Sequence, residues 1–170
     1  MTHYRPWKEE RWMMVSKQCT LNHIITYHGI TGEAVYPIYD WYNLVKGTNI
    51  KYGSPWCAMF LSYALNGDGY INSFPIEASC DKMKDYFKKF DRWYTIDEHK
   101  PVSGDIIFFS NKNTEKDCTH VGIVIFVDYQ NELLVTYEGN TSKMVAPRIY
   151  SFTNNPYIVG YANLQDQYAY

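Results

Sequence analysis

The sequence has little charge and lacks long apolar runs. Charged residues make up 20% of the 170 residues, the formal net charge is −2, and no basic stripe runs along the chain. A nucleic-acid partner is therefore not expected. No apolar stretch approaches the roughly 20 residues that span a bilayer, and the amino end is too polar for a signal peptide. We expect a single structural domain without membrane insertion.

Cysteine is also scarce, with four widely spaced residues in the whole chain. The chain has no CxxC pair and no HExxH helix, which argues against a disulfide framework and against a zinc site. We therefore predict no metal and no cofactor. Cys19 and Cys80 are interpreted as packing residues. Cys118 is interpreted as an incidental loop cysteine, with a resolving thiol as the alternative.

Helical signals dominate the first half of the chain. Apolar residues at near-helical spacing predict a helix over 7–28, with Gly29 as its stop. Two further helices are predicted over 55–65 and 78–90. Between the first two helices, glycines, Pro37 and an asparagine interrupt any helical or strand periodicity of the apolar residues. We therefore predict an irregular connection over 31–53.

Strand signals replace this pattern beyond Pro101. Short apolar runs separated by turn residues are typical of strands. They cover 105–109, 121–127, 133–138, 146–150 and 158–162. Helices followed by about five mostly antiparallel strands predict an α+β fold. We expect a helical segment, 1–30, packed on the main part of the domain, 31–170.

Cys57 stands where a helix is expected to begin. Ser54 is a favourable N-cap and Pro55 a favoured first helical residue, so Cys57 falls in the first turn, among unpaired backbone N–H groups. The positive end of a helix stabilises a thiolate, and a nearby imidazolium lowers the pKa of a cysteine further. Cys57 is therefore a candidate nucleophile, although a cysteine in an apolar helix is more often a packing residue.

Polar side chains near two predicted strand ends supply candidate partners for Cys57. His120 begins one strand, and Glu138 and Asn140 lie two positions apart on the next, so those two share a face. A three-residue hairpin loop would set His120 opposite one of them. A four-residue loop would set His120 opposite Gly139 and turn its side chain to the wrong face of the sheet. We therefore predict a hairpin loop with an odd number of residues.

These residue types match the chemistry of an activated nucleophile. Cys57 attacks a carbonyl group, His120 accepts and later returns a proton, and Glu138 orients His120. Asn140 either fills a similar orienting role or supports Glu138. The backbone N–H of Cys57 is a candidate donor to the developing oxyanion. The joint arrangement indicates a thiol enzyme.

Aromatic residues are abundant, at 18% of the chain with 17 Tyr and 5 Trp. Such amphipathic rings suit carbohydrate and peptide surfaces. Trp41, Tyr42, Trp56 and Tyr137 flank the predicted site, and we predict that they contact substrate. Core packing is the alternative for each ring.

The motifs around these residues resemble the CHAP family, the cysteine, histidine-dependent amidohydrolases and peptidases. Residues 54–62 resemble the nucleophile helix of that family and 104–109 its first core strand. Residues 120–124 resemble the histidine strand, and 138–141 resemble the segment that supplies the third and fourth site residues. The resemblance covers about 31–161, which makes 31–170 a CHAP-like catalytic domain. It implies a papain-like fold related to NlpC/P60 enzymes.

The resemblance also implies an activity, which is hydrolysis of an amide bond in bacterial peptidoglycan. The bond is either the N-acetylmuramoyl-L-alanine link or one in the stem or cross-bridge peptide. Phage endolysins, virion-associated lysins and bacterial autolysins contain such domains. We expect synthesis in the cytoplasm and action on the wall after lysis, or carriage in a virion, with a virion or wall-binding chain as a further partner.

Two other functions remain open. One is a noncatalytic CHAP-like module that grips the wall or a virion partner. The other is a cysteine protease or effector that acts on protein amides. Together, Cys57, His120, Glu138 and Asn140 favour catalysis, because a binding module has no need of a thiol at a helix end.

Calcium dependence is predicted to be absent. Some CHAP members bind calcium through acidic residues just before the nucleophile, whereas residues 42–56 contain no Asp or Glu. We expect hydrolysis of cell walls to proceed at the same rate with and without EDTA. Hydrolysis that EDTA abolishes and added calcium restores would contradict this prediction.

Overall fold

Helices precede strands along the chain. The computed structural model describes residues 17–66, 74–112, 114 and 117–164. The helices are α1 (17–26 in its described part), a 3-10 turn at Gly32–Val35, α2 (Tyr36–Lys46), α3 (Cys57–Asn66) and α4 (Cys80–Lys89). The strands are β1 (Trp93–Tyr94), β2 (Ile106–Phe109), β3 (His120–Asp128), β4 (Leu133–Thr141), β5 (Met144–Ser151) and β6 (Ile158–Ala162). The predicted α+β fold is confirmed. The part of the first predicted helix before residue 17 lies outside the described residues.

The strands form one antiparallel sheet in the order β1-β6-β2-β3-β4-β5. The five predicted strands are all present. The prediction missed β1, whose two residues pair with β6 at the edge of the sheet. A strand this short has no alternating pattern to detect.

The prediction for 31–53 was wrong, because α2 occupies the middle of that range. Pro37 lies in the first turn of α2, where its missing N–H costs no helical hydrogen bond. Ile38, Tyr39 and Tyr42 are buried on one side of the helix. Gly47, with a φ of 64° in the left-handed region, ends it. The proline that suggested a break therefore marks a helix start.

The start of α3 lies two residues later than predicted. The helix begins at Cys57, and its first turn closes with a hydrogen bond of 2.8 Å from Phe60 N to Trp56 O. Ser54 and Pro55 lie in the connection before it, so the expected Ser54 cap was wrong. The Ser54 carbonyl instead accepts a hydrogen bond of 2.5 Å from the Tyr39 hydroxyl. Cys57 remains in the first turn, as predicted.

Helix α3 forms the centre of the main core. Its apolar residues lie all round the helix, and a helix of this kind is buried on every side. Six of them have no exposed surface: Ala58, Met59, Phe60, Leu61, Ala64 and Leu65. The backbone of β4 touches this helix at Gly139, where an added Cβ would lie 2.4 Å from Phe60 Cβ. Only glycine lets β4 approach α3 so closely.

Helix α1 packs on the same core. Leu21 and Ile24 are buried in it, and the chain after the helix joins the sheet region through a 2.8 Å hydrogen bond from Gly29 N to Val145 O. Gly29, with a φ of 80°, lies in the turn that follows α1, close to the predicted stop. Among the described residues, no helix combines the length and apolarity needed to cross a bilayer.

Candidate active site

Three of the predicted catalytic residues come together where α3 meets β3 and β4. Cys57 is the first residue of α3 and is 4% exposed, and His120 is the first residue of β3. The His120 Nε2 atom lies 2.7 Å from Glu138 Oε2. The His120 ring also interacts with Cys57, since each of the two groups shifts the pKa of the other. With Nε2 bonded to Glu138, Nδ1 is the ring nitrogen left for the thiol.

A β-bulge, and not a hairpin loop with an odd number of residues, brings His120 to the face of the sheet that carries Glu138. The hairpin loop has four residues, 129–132, so the prediction of an odd loop was wrong. The register then shifts at Ile125, which has no partner on β4. One extra residue on β3 restores the alternation, so His120 and Glu138 share a face.

Gly122 makes room for Glu138 to reach His120. It lies on the same face of β3 as His120, and an added Cβ would stand 2.7 Å from Glu138 Cγ. The Glu138 side chain therefore passes over Gly122 on its way to the imidazole. The glycine two residues after His120 therefore has a steric reason, because a larger residue there would block the Glu138 side chain.

A Gly122→Ala variant is expected to lose activity while remaining folded. The new methyl group would push the Glu138 side chain away from His120, and a misplacement of about 1 Å in a catalytic group costs roughly 100-fold in rate. Wall hydrolysis should be compared with that of Glu138→Gln, which should fall to a similar degree, with circular dichroism as the check on folding. Full activity in folded Gly122→Ala protein would contradict this role for Gly122.

Two residues that the sequence analysis missed hold Glu138 in place. The Thr136 hydroxyl donates a 2.6 Å hydrogen bond to Glu138 Oε1, and Tyr150 is close enough that burial and the charge of Glu138 raise the pKa of its hydroxyl. The Glu138 side chain is 1% exposed, so the hydrogen bonds from Thr136 and His120 replace water on an otherwise costly buried charge. Thr136 stands two positions before Glu138 on the same face of the strand, so its contact with Glu138 could have been predicted from the sequence spacing. Tyr150 lies on β5, and only the sheet order brings it near.

The electrostatics of the site favour a thiolate and imidazolium pair. A hydrogen bond from Cys80 and the interactions with His120 hold the pKa of Cys57 well below its usual value, although burial opposes this. Burial also acts to lower the pKa of His120. Hydrogen bonds and charge interactions with Cys57 and Glu138 outweigh that effect and raise the pKa of His120 to about 10. Each partner thereby stabilises the charged form of the other.

Cys80 is the closest thiol to the candidate nucleophile. It is the first residue of α4, and its Sγ lies 3.6 Å from Cys57 Sγ. The hydrogen bond with Cys57, burial and the negative charge of Cys57 raise the pKa of Cys80, so Cys80 carries its proton. The interpretation of Cys80 as a packing residue therefore missed a direct contact with the site. The 23 residues that separate the two cysteines gave no sign of it.

Among the described residues, the hydrogen-bond partners of Cys57, His120 and Glu138 do not include Asn140. It has a φ of 58° at a break in the pairing of β4 with β5. Its side chain lines a cavity of about 480 Å³ together with Trp56, Tyr36, Tyr52 and Lys143, among others. Because Trp56 immediately precedes Cys57, this cavity adjoins the nucleophile.

The predicted aromatic contacts occupy different surroundings. Trp56 lines the cavity described above. Tyr42 and Tyr137 are 4% and 6% exposed, and Trp41 packs edge-on against Tyr63 with ring centroids 5.5 Å apart. Tyr137 points to the core because it precedes Glu138 on the strand and so faces the opposite side of the sheet. Substrate contact by these rings stays a prediction, and burial leaves Tyr42 and Tyr137 little surface for it.

Metal ligation has no geometric support in the part of the chain that the structure describes. No group of three or more His, Cys, Asp or Glu side chains within it is arranged to hold an ion.

Comparison with known proteins identifies the family. Residues 49–140, more than half of the chain, match the family profile of the CHAP domain, and they contain all four predicted catalytic residues. The chain belongs to the CHAP domain family. A search of curated protein sequences finds no match.

Two similar structures are crystal structures of Ly7917. One has a TM-score of 0.49 and 16% identity, and the alignment covers 85% of this chain and 60% of that one. The other, Ly7917 with the hydrolyzing product of MDP, has a TM-score of 0.50 and 15% identity, with 85% and 61% covered. The second likeness shows a shared fold. The chain spans less than two thirds of the length of Ly7917.

Proposed function

We propose that this protein is a peptidoglycan hydrolase that cleaves an amide bond of the bacterial cell wall through a Cys57 thiolate. The observation that carries the proposal is the junction of Cys57, at the start of α3, with the His120 and Glu138 pair. Membership of the CHAP family supports the reaction class. Ly7917, which has the same fold, was solved with the hydrolyzing product of MDP, and this agrees with hydrolysis on such a fold.

The first chemical step is acylation of Cys57. The thiolate attacks the carbonyl carbon of the amide, and the carbonyl oxygen takes up the negative charge. The first backbone N–H groups of α3 lack helical acceptors, so the N–H of Cys57 is placed to stabilise that oxyanion. His120 donates its proton to the amine nitrogen, the C–N bond breaks, and the amine leaves. A thioester on Cys57 remains.

The second step is hydrolysis of the thioester. Neutral His120 removes a proton from water, the resulting hydroxide attacks the acyl carbon, and the C–S bond breaks. The carboxylate product leaves and Cys57 returns to the thiolate. Glu138 keeps Nε2 of His120 occupied throughout, so that the other ring nitrogen stays directed at the reaction. Thr136 fixes Glu138 in turn.

We propose that the substrate approaches the nucleophile from the cavity beside Trp56. The cavity lined by Trp56, Asn140 and Lys143 adjoins Cys57 and offers aromatic, amide and cationic groups to a glycopeptide. Because Asn140 lines this cavity, we propose that it binds substrate rather than orienting His120. The bond cut is either the muramoyl-L-alanine amide or a peptide bond of the stem or cross-bridge. A phage or virion-associated lysin, which meets the wall at lysis or infection, is the biological setting that we propose.

The rate of hydrolysis is expected to stay high from mildly acidic pH up to about pH 10. The active form needs ionised Cys57 and protonated His120, and kcat/KM reports both groups in the free enzyme. Activity should fall on the acidic side as Cys57 gains a proton at its lowered pKa. It should fall on the alkaline side as His120, whose pKa is about 10, loses its proton. A single rise centred near pH 6.5 would instead indicate neutral His120 acting as base on a neutral thiol.

The proposal is tested by mass spectrometry of fragments that the protein releases from purified Gram-positive sacculi. Cys57→Ala protein is the control for contaminating hydrolases. New amine and carboxylate ends made only by the Cys57 protein are expected, and their identity separates amidase from endopeptidase. Absence of any new end across several wall types would contradict the proposal and favour a noncatalytic wall-binding module.

A further inference from the structure

The thiol of Cys80, beside the nucleophile, takes no covalent part in the reaction described above. Cys57 and Cys80 are the first residues of α3 and α4, so two helix N-termini bring their sulfurs within 3.6 Å. A disulfide has the sulfurs at about 2.05 Å, so its formation requires them to approach by about 1.5 Å. Both residues are largely buried, at 4% and 7% exposure, and their sulfurs contact each other.

We propose that Cys57 and Cys80 form a reversible oxidation site, at which a hydroperoxide converts the two thiols into a disulfide that blocks the nucleophile. Blocking of activity rests on the proposed function, whereas the chemistry of the pair does not. An ionised thiol is the form that peroxides oxidise, and a nearby second thiol is what diverts the product to a disulfide. Both requirements are met within one contact.

The reaction balances in two steps. In the first, Cys57 thiolate attacks an oxygen of the hydroperoxide, the O–O bond breaks, and the second oxygen leaves as an alcohol or as water after protonation. Cys57 becomes a sulfenic acid, oxidised by two electrons, while the peroxide is reduced by two. In the second, Cys80 sulfur attacks Cys57 sulfur, the S–O bond breaks, and the hydroxyl leaves as water with the proton of Cys80. A dithiol reductant restores both thiols by exchange.

The charge of Cys57 controls when Cys80 reacts. While Cys57 is a thiolate, its negative charge and its hydrogen bond help to raise the pKa of Cys80 and keep that thiol protonated and unreactive. Formation of the sulfenic acid removes the charge, so Cys80 ionises more easily at the moment when its attack is needed. The N-terminus of α4, with Ser79 as its cap, then stabilises the Cys80 thiolate.

Cys118 is the alternative partner for Cys80. It is buried, and it is close enough to Cys80 to contribute to the raised pKa of that thiol. Its backbone N–H donates a 2.9 Å hydrogen bond to Asp81 Oδ1, which ties its loop to α4. Its position two residues before His120 suggested a resolving thiol from the sequence, but the sulfur contact of 3.6 Å belongs to Cys80. Cys118 therefore serves as the matched control.

The test uses the full chain in a Cys19→Ser background, because Cys19 is exposed and open to disulfides between molecules. Cys80→Ser, Cys80→Ala and Cys118→Ser are compared with the parent after treatment with hydrogen peroxide. Each sample is denatured in maleimide, and its intact mass and non-reduced peptides are measured. We expect the parent and Cys118→Ser to contain a Cys57–Cys80 disulfide and to regain wall hydrolysis with dithiothreitol. Both Cys80 variants should proceed to Cys57 sulfinic acid, which dithiothreitol does not reverse.

Two outcomes would overturn this proposal. One is a disulfide that joins Cys80 to Cys118 in place of Cys57. The other is Cys57 sulfinic acid forming as fast in the parent as in the Cys80 variants. The disulfide is identified without substrate, so its formation in a protein that releases no wall fragments would refute the proposed function alone. Wall hydrolysis without the disulfide would refute the oxidation site alone.

Discussion

A Cys57→Ser variant is expected to lose wall hydrolysis by a factor on the order of 10⁴ to 10⁶, the loss seen when a nucleophile is removed from a hydrolase. Serine preserves the shape of the side chain, but its hydroxyl stays protonated where the thiol of Cys57 is ionised. The interactions with Cys80 and His120 that lower the pKa of Cys57 have no comparable effect on an alcohol. Substrate binding should change little, so the loss should appear in kcat.

Release of muropeptides from sacculi measures this effect, with Cys19→Ser as the matched control on an exposed cysteine far from the site in sequence. Thermal unfolding should give both variants a midpoint close to that of the parent. Hydrolysis by folded Cys57→Ser within tenfold of the parent would assign the nucleophile to another group.

The second large effect is expected for His120→Ala, with a loss of about 10² to 10⁴ from removal of the acid and base. The variant should also change Cys57 itself. Without the imidazolium, the pKa of Cys57 should rise, because only the hydrogen bonds from Cys80 and from the Ala58 backbone then oppose the effect of burial. Alkylation of Cys57 by iodoacetamide at mildly acidic pH should therefore slow, a change that loss of packing alone would not produce.

His23→Ala is the matched control for this variant. His23 lies on α1, where its ring contacts Tyr27, with centroids 5.1 Å apart. That variant should keep both hydrolysis and the alkylation rate of Cys57. If His120→Ala left the alkylation rate at mildly acidic pH unchanged, the ion pair would not account for the reactivity of Cys57.

Local sequence signals predicted the strands well because each strand is a short apolar run with turn residues on both sides. Helix α2 escaped prediction because Pro37 was interpreted as a break, whereas a proline in a first turn starts a helix. The Ser54 cap failed for a related reason. Pro55 disfavours helical geometry for the residue before it, and the helix begins only at Cys57.

The composition of the site was partly predictable and its geometry was not. Cys57, His120 and Glu138 stood out by residue type and by their positions at element ends. The bulge at Ile125 that places His120 on the correct face has no distinct signal in a uniformly apolar strand. Cys80 lies near Cys57 only because α3 and α4 begin side by side, which is a property of tertiary packing.

Stoichiometric alkylation of Cys57 tests the central claim most directly. The full chain is treated with iodoacetamide at mildly acidic pH, where ordinary thiols react slowly, and samples are split between peptide mapping and muropeptide release. The fraction of Cys57 alkylated should equal the fraction of hydrolysis lost at every time point. Protein whose Cys57 is fully alkylated and which still releases wall fragments at the original rate would contradict a Cys57 nucleophile.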